Sequence, residues 1–243
     1  MIDTHCHIIP DVDDGSESMS MSMMMAAMAV DDGVEEILAT PHVLWDNRYT
    51  EQRLRRIKRH AEDFKQEIVN ARMPLTLHVG AEVLCAVPAR NLLEQGLFPR
   101  LASTDYALIE FYFDEPFDYM TECLEAVANV GICPIIAHPE RYGCIQKRKE
   151  NAIEWIERGY FLQVNKGSIN GDFGHKVKKT VDWILKNKLA HLMATDAHDI
   201  SHRTTRLSSG AYECEKKHGY DYAVLLTEVN PKRLLANERL IQF

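Results

Sequence analysis

Seven short apolar segments recur along this chain, at residues 2–7, 36–40, 75–79, 106–111, 132–137, 160–164 and 189–195, each followed by a polar or glycine turn. Helix-like stretches lie between them at 16–32, 50–71, 119–129, 149–158 and 175–188. Parallel strands need a crossover long enough to hold a helix, so this rhythm predicts an α/β fold around a parallel sheet. Seven repeats suggest closure into a barrel. No low-complexity or Pro/Gly-rich break divides the 243 residues, and barrels of this size are routinely one unit, so 1–243 reads as a single domain.

Details of two helices are readable. Ser16 is placed to cap the first, and Gly33 follows its last turn, where a left-handed backbone suits glycine. Met19, Met21, Met23, Met24, Met25 and Met28 crowd that helix and are expected to pack rather than to ligate a soft metal. Arg53, Arg55, Arg56, Lys58 and Arg59 are expected on a solvated face of the second helix, with anion or partner docking as the alternative.

The chemistry starts in the first segment, where His5 and His7 stand two residues apart. Alternate side chains of a strand share a face, so both imidazoles can reach one ion. The alternative, an edge pair facing solvent, is decided by what the other segments carry. His42 follows the second, Glu82 follows the third, Glu110 ends the fourth, His138 ends the fifth, and Asp196 and His198 end the seventh. All stand at carboxyl ends, the face on which βα barrels build active sites. With one acid from Asp11, Asp13 or Asp14, among which spacing does not choose, nine mixed ligands result. That is too many for one ion and suits two or three. Nitrogen and oxygen donors without a thiolate set favour Mn, Fe or Zn over Ca or Mg.

Charge then points to the substrate. Three divalent ions against four carboxylates leave a pocket charge of about +2, a counterpart to a phosphate dianion. Arg141 and Arg203 follow His138 and His198 closely, where a guanidinium can clamp phosphate oxygens, and Arg206 is a weaker third candidate. A net charge of -8 disfavours nucleic acid as a partner. Six cysteines form no CxxC pair, the N-terminus lacks signal-peptide regions, and no apolar run approaches a membrane span. A cytoplasmic protein with reduced thiols and no membrane insertion is expected. Oligomeric state is not readable.

The words MIDTHCHIIPDVDDGS, TPH at His42, GAE at Glu82, YALIEF through Glu110, AHPERY from Ala137, QVN at Asn165 and ATDAH at Asp196 cover nearly the whole chain. Together they resemble the polymerase and histidinol phosphatase (PHP) superfamily. More closely, they resemble its bacterial manganese-dependent tyrosine-protein phosphatases of capsular and extracellular polysaccharide synthesis. The resemblance implies a distorted seven-stranded (β/α)7 TIM-like barrel, the PHP fold, holding three divalent ions, Mn first with Fe or Zn as alternatives. It implies His5, His7, Glu82 and Asp196 around one ion, Glu82, Glu110 and His138 around a second, and Asp14, His42 and His198 around a third. Arg141 and Arg203 match the family's phosphate-binding arginines. The implied partner is a phosphotyrosine protein, a bacterial tyrosine kinase of polysaccharide synthesis. Pro41-His42-Val43-Leu44-Trp45 departs from the family's turn, so Trp45 either lines the pocket rim or packs.

The expected reaction is metal-assisted hydrolysis of a phosphomonoester, in which water with its pKa lowered from about 15.7 toward 7 attacks in line with the leaving oxygen. Metals and arginines stabilise the charge that develops on the phosphoryl group. A phenol of pKa about 10 leaves with little acid assistance. A Cys-x5-Arg phosphatase loop is missing, since Cys85 to Arg90 falls one residue short. Three rivals share the ligand set: a small-molecule phosphatase such as histidinol phosphatase, a phosphodiesterase of the same superfamily, and a non-catalytic metal-binding regulator.

Overall fold

The computed structural model describes residues 1–44, 50–85 and 98–243, so Trp45 lies outside the described residues. Its strands are β1 (Ile2–Cys6), β2 (Glu36–Ala39), β3 (His42–Leu44), β4 (Thr76–Val79), β5 (Glu82–Leu84), β6 (Tyr106–Glu110), β7 (Cys133–Ala137), β8 (Phe161–Asn165) and β9 (Leu192–Ala194). The helices are α1 (Met19–Asp31), α2 (Thr50–Asn70), α3 (Phe117–Ala128), α4 (Gly143–Lys147), α5 (Asn151–Glu157), α6 (Lys166–Asn170), α7 (His175–Lys186) and α8 (Ser208–His218). Further helical turns run from Tyr220 to Leu235. Every pairing is parallel, and the fold is α/β.

Seven segments were expected in one sheet, but two are interrupted and the strands form two parallel sheets. One has the order β1-β2-β4 and the other β3-β5-β6-β7-β8-β9. Pro41, which has no N–H to donate, separates β2 from β3. Gly80 separates β4 from β5, where a Cβ would come within 2.7 Å of the Leu101 side chain. Hydrogen bonds continue across both interruptions, from Gly80 N to Ala39 O (2.8 Å) and from Glu82 N to Pro41 O (3.1 Å). Beyond β9 the chain turns to β1, where Asp196 N donates to His5 O (2.8 Å) and His7 N to Ala197 O (2.9 Å).

Strand alternation sorts the side chains into two sets. Ile37, Val43, Val83, Ala107, Ile109, Ile136, Leu162, Val164 and Met193 belong to the larger apolar core, together with buried residues of the helices. Residues of the opposite parity, among them Leu38, Tyr106, Leu108, Ile135, Ala137, Phe161 and Leu192, form a second cluster with Leu234 and Leu240. Continued along the same parity toward the carboxyl ends, this face changes from apolar to His5, His7, Glu110, Gln163 and Asn165. The hydrophobic cluster therefore forms the floor beneath a polar mouth.

Helix ends depart slightly from expectation. Helix α1 is capped by Ser18, whose side chain accepts from Met21 N, and not by Ser16. Ser16 is buried instead and bonds the Ser22 hydroxyl at 2.8 Å, because the preceding loop folds back onto β1. Gly33 does close the helix, at φ +84° with a Schellman pair from Gly33 N to Val30 O and Val34 N to Ala29 O. Met25 is fully buried, and Met19, Met21 and Met23 pack against the core. Arg53 and Arg56 do more than solvate α2. Arg53 donates to the carbonyls of His42 (2.8 Å) and Val12 (3.0 Å), and Arg56 pairs with Asp11, tying the helix to the loop after β1. Among the described residues no helix is long and apolar enough to cross a membrane.

Candidate metal centre

Parallel register brings the carboxyl-end side chains together, with His42 directly opposite Glu82 on paired strands and Leu84 opposite Glu110. Glu82 is fully buried at the middle. Its Oε2 lies 3.2 Å from His5 Nε2, 3.3 Å from His7 Nε2 and 3.1 Å from His42 Nδ1, while Oε1 lies 2.9 Å from His138 Nε2. Asp196 Oδ1 reaches His5 Nε2 at 3.4 Å and His7 Nε2 at 3.5 Å. Asp14 faces His42 Nε2 (3.4 Å) and His198 Nε2 (3.6 Å), and Glu110 meets His42 Nδ1 at 2.8 Å.

Among the described residues, three overlapping groups are close enough to hold ions: His5, His7, Glu82 and Asp196; His7, Asp14, His42 and His198; and His42, Glu82 and Glu110. His42 stands with Glu82 and Glu110 in the third group, where the resemblance implies His138. His138 leaves β7 in a left-handed backbone (φ +35°) and its ring closes on the far oxygen of Glu82. The choice among the three acids also separates cleanly. Asp11 turns outward to Arg56, Asp13 accepts from His7 Nδ1 (2.7 Å) and from the backbone of His42 (2.9 Å) and Gly15 (3.1 Å), and only Asp14 faces two imidazoles. Gly15 makes this loop possible, since a Cβ there would sit 2.2 Å from His7 O.

Hydrogen bonds fix which ring nitrogens are free. Gln163 donates through Nε2 to Val164 O and Asn165 Oδ1 (both 2.8 Å), so its Oε1 faces His5 Nδ1 at 2.8 Å and that nitrogen carries the proton. Asp13 fixes His7 in the same way. The two Nε2 atoms, the positions left for a metal once each Nδ1 is protonated, therefore face each other across 3.1 Å, beside Glu82 and Asp196. Two imidazolium N–H groups cannot share that gap, so the donors fit one shared cation. Asn165 completes the support by donating to Asp196 Oδ2 at 2.6 Å, and Glu140 accepts from Asn165 N at 2.9 Å. Glu82 Oε2, His138 Nδ1 and His198 Nε2 are buried without a hydrogen-bond partner, as groups awaiting an ion are.

Electrostatics reports the same demand. Burial pushes His5 down, but the charges of Glu82 and Asp196 more than reverse this and raise it to about 9. His42 is likewise lowered by burial and lifted by Glu110 and Glu82, to about 10. Burial pushes the Glu82 carboxyl up, yet the neighbouring imidazoles of His5, His138 and His7 hold it well below the usual range. His198 falls to about 3 through burial and its neighbour His7. Both predicted arginines meet at Asp196: Arg203 Nη2 lies 2.5 Å and Arg141 Nη1 3.6 Å from Oδ2. Arg206 is exposed.

The sequence reading missed Gln163 and Glu140, and it weighed Asp13 only as a ligand and not as the partner of His7 Nδ1. Gln163 and Asn165 sit two apart in an otherwise apolar strand, a pattern that places two amides on one buried face, and this was the available signal.

A parallel α/β fold with clustered imidazoles and carboxylates at its strand ends defines a candidate multi-metal centre. The chain belongs to the capsular polysaccharide synthesis CpsB/CapC family, whose model matches residues 1–236. It is 31% identical to the tyrosine-protein phosphatase YwqE of Bacillus subtilis (strain 168), covering 100% of this chain and 94% of that one. It is 29% identical to the tyrosine-protein phosphatase CpsB of Streptococcus pneumoniae, over 98% and 99%. Crystal structures of YwqE and CpsB, described as unique metal-dependent tyrosine phosphatases, include a chain that superposes with a TM-score of 0.90 at 31% identity over 100% of this chain and 97% of that one. A histidinol phosphate phosphatase from Lactococcus lactis, with zinc, L-histidinol and phosphate, shares the fold at a TM-score of 0.57 and 16% identity, covering 90% and 94%.

Proposed function

We propose that this chain is a metal-dependent protein-tyrosine phosphatase that hydrolyses phosphotyrosine monoesters at the mouth built by β1, β3, β5, β6 and the turns after β7 and β9. The observation that carries the reading is the pair of Nε2 atoms of His5 and His7, 3.1 Å apart beside two carboxylates. His5, His7, Asp14, His42, Glu82, Glu110, His138, Asp196 and His198 hold the metal, and the three overlapping groups support three divalent ions. Mn, Fe and Zn all suit these donors. When bound, such ions neutralise phosphoryl charge and bring the pKa of water toward 7.

The chain's own residues bind and orient. Arg141 and Arg203 flank Asp196 and clamp phosphoryl oxygens, stabilising charge that grows in the transition state. Gln163 and Asp13 hold the imidazoles of His5 and His7 in the tautomer that leaves Nε2 free. The two parallel sheets are read as one distorted seven-stranded (β/α)7 barrel within a single domain, 1–243, supported by the hydrogen bonds between β1 and the segment after β9. Membership of a capsular polysaccharide family supports, as substrate, a cytoplasmic tyrosine kinase of polysaccharide synthesis.

The test is turnover of a phosphotyrosine peptide with and without Mn, alongside elemental analysis and a parallel assay on histidinol phosphate. Metal-dependent release of phosphate from the peptide is expected, with Cys85→Ser as active as the parent. Full activity after chelation, lost in Cys85→Ser, would overturn the mechanism. Gln163→Leu removes the acceptor that orients His5, and metal affinity should fall by roughly 10- to 100-fold. Competition with a chromophoric chelator measures this, and an unchanged affinity would remove Gln163 from the support of the centre.

A further inference from the structure

Two aromatic side chains beside the candidate centre stand open to solvent. Tyr112 and Phe113 follow the buried Phe111 just beyond the strand that ends in Glu110, and they are 57% and 46% exposed. Adjacent exposed aromatic rings at the rim of a cavity mark a binding surface rather than a core. The two line a cavity of about 340 Å³ with His42, Glu110 and Phe111. They also line a neighbouring cavity of about 740 Å³ that contains Arg141. The Arg141 guanidinium lies 4.3 Å from the centroid of the Phe113 ring, a cation–π contact that fixes the clamp against the same shelf.

We infer that Tyr112 and Phe113 form the subsite for the phenyl ring of the leaving tyrosyl group, and so set a preference for aryl over alkyl phosphomonoesters. The inference rests on the phosphatase reading above. A phosphate held between the His42 and Glu110 side and Arg141 has these two aromatic faces as the shared wall of both cavities. A phenyl ring bonded to that phosphate gains offset or edge-to-face stacking on them. An alkyl ester places no π face there and gains only its few methylene contacts.

Small substrates isolate the ring from any peptide contact. Tyr112→Ala should lower the ratio of kcat/KM for phenyl phosphate over glycerol phosphate by roughly three- to tenfold, the range of one aromatic pairing. Phe113→Leu, which keeps bulk beneath Arg141 but removes the π face, should lower the same ratio, while Tyr112→Phe should preserve it. An equal loss on both substrates, or an unchanged ratio, overturns the subsite. A loss confined to phosphopeptides assigns the shelf to a flanking residue and also overturns it. If the unsubstituted protein hydrolyses neither small phosphomonoester in the presence of metal, the phosphatase reading itself fails and takes the subsite with it.

Discussion

Glu82→Gln is expected to lower turnover of a phosphotyrosine peptide by about a thousandfold or more, and to cost the centre part of its metal. Metal ions contribute several kcal/mol of transition-state charge stabilisation, and each 1.36 kcal/mol is a factor of about ten. Its two oxygens lie within 3.3 Å of imidazole nitrogens of His5, His7, His42 and His138. Glutamine keeps the volume but replaces one oxygen by an NH2 group and removes the negative charge. The neutral amide cannot bridge ions, and its donor faces nitrogens that should hold lone pairs for metal. Because size is preserved in a fully buried place, the parallel sheets should persist, which far-UV circular dichroism will report. Elemental analysis and kcat measured on the same preparation test the claim. Wild-type metal content with turnover within threefold of the parent would show that Glu82 is no part of the centre.

The strand ends were legible because strand period and βα order act together. Once 2–7, 106–111 and 189–195 are strands, period two aims His5 with His7, and parallel order gathers their carboxyl ends. Interruptions were harder to see. Pro41 and Gly80 break the ladder without changing the direction of the chain, so two predicted strands became four short ones across two sheets. Side-chain partners beyond the chain's local period were not legible at all. That Asp14, and not Asp13, faces the Nε2 atoms of His42 and His198 depends on a loop that folds back until Ser16 N meets His7 O at 3.0 Å, and Gly15 permits this only through a contact made in three dimensions. That His138 meets the far oxygen of Glu82 was hidden for a similar reason, since a left-handed residue at φ +35° re-aims a ring in a way that no spacing rule encodes. Of the groups that orient the imidazoles, Gln163 reads from sequence as an ordinary polar residue and Asp13 only as one of three candidate ligands.

Stripping the metal is expected to abolish turnover and to make the remaining protein sensitive to alkali. In the metal-free fold His5 and His42 hold protons up to about pH 9 and about pH 10, against an ordinary value of 6.5. A group whose folded pKa is raised stabilises the fold fully below its unfolded pKa and loses that contribution as pH climbs through the folded one. Metal-free protein should therefore melt at progressively lower temperature from about pH 6.5 to about pH 10. Glu82 and Asp196 act in the opposite sense: with pKa values held low, they stabilise above the ordinary carboxylate range and lose their contribution in acid. Ligation needs neutral imidazole, so metal must expel the protons on His5 and His42. Metal uptake at pH 7 should accordingly release protons, and affinity should rise with pH until those histidines are neutral without help. Titration calorimetry in two buffers of different ionisation enthalpy counts the released protons, and melting curves with and without Mn supply the second readout. Proton-neutral uptake at pH 7, together with a metal-free melting temperature that is flat between pH 6.5 and 10, would mean that these imidazoles do not exchange protons for metal.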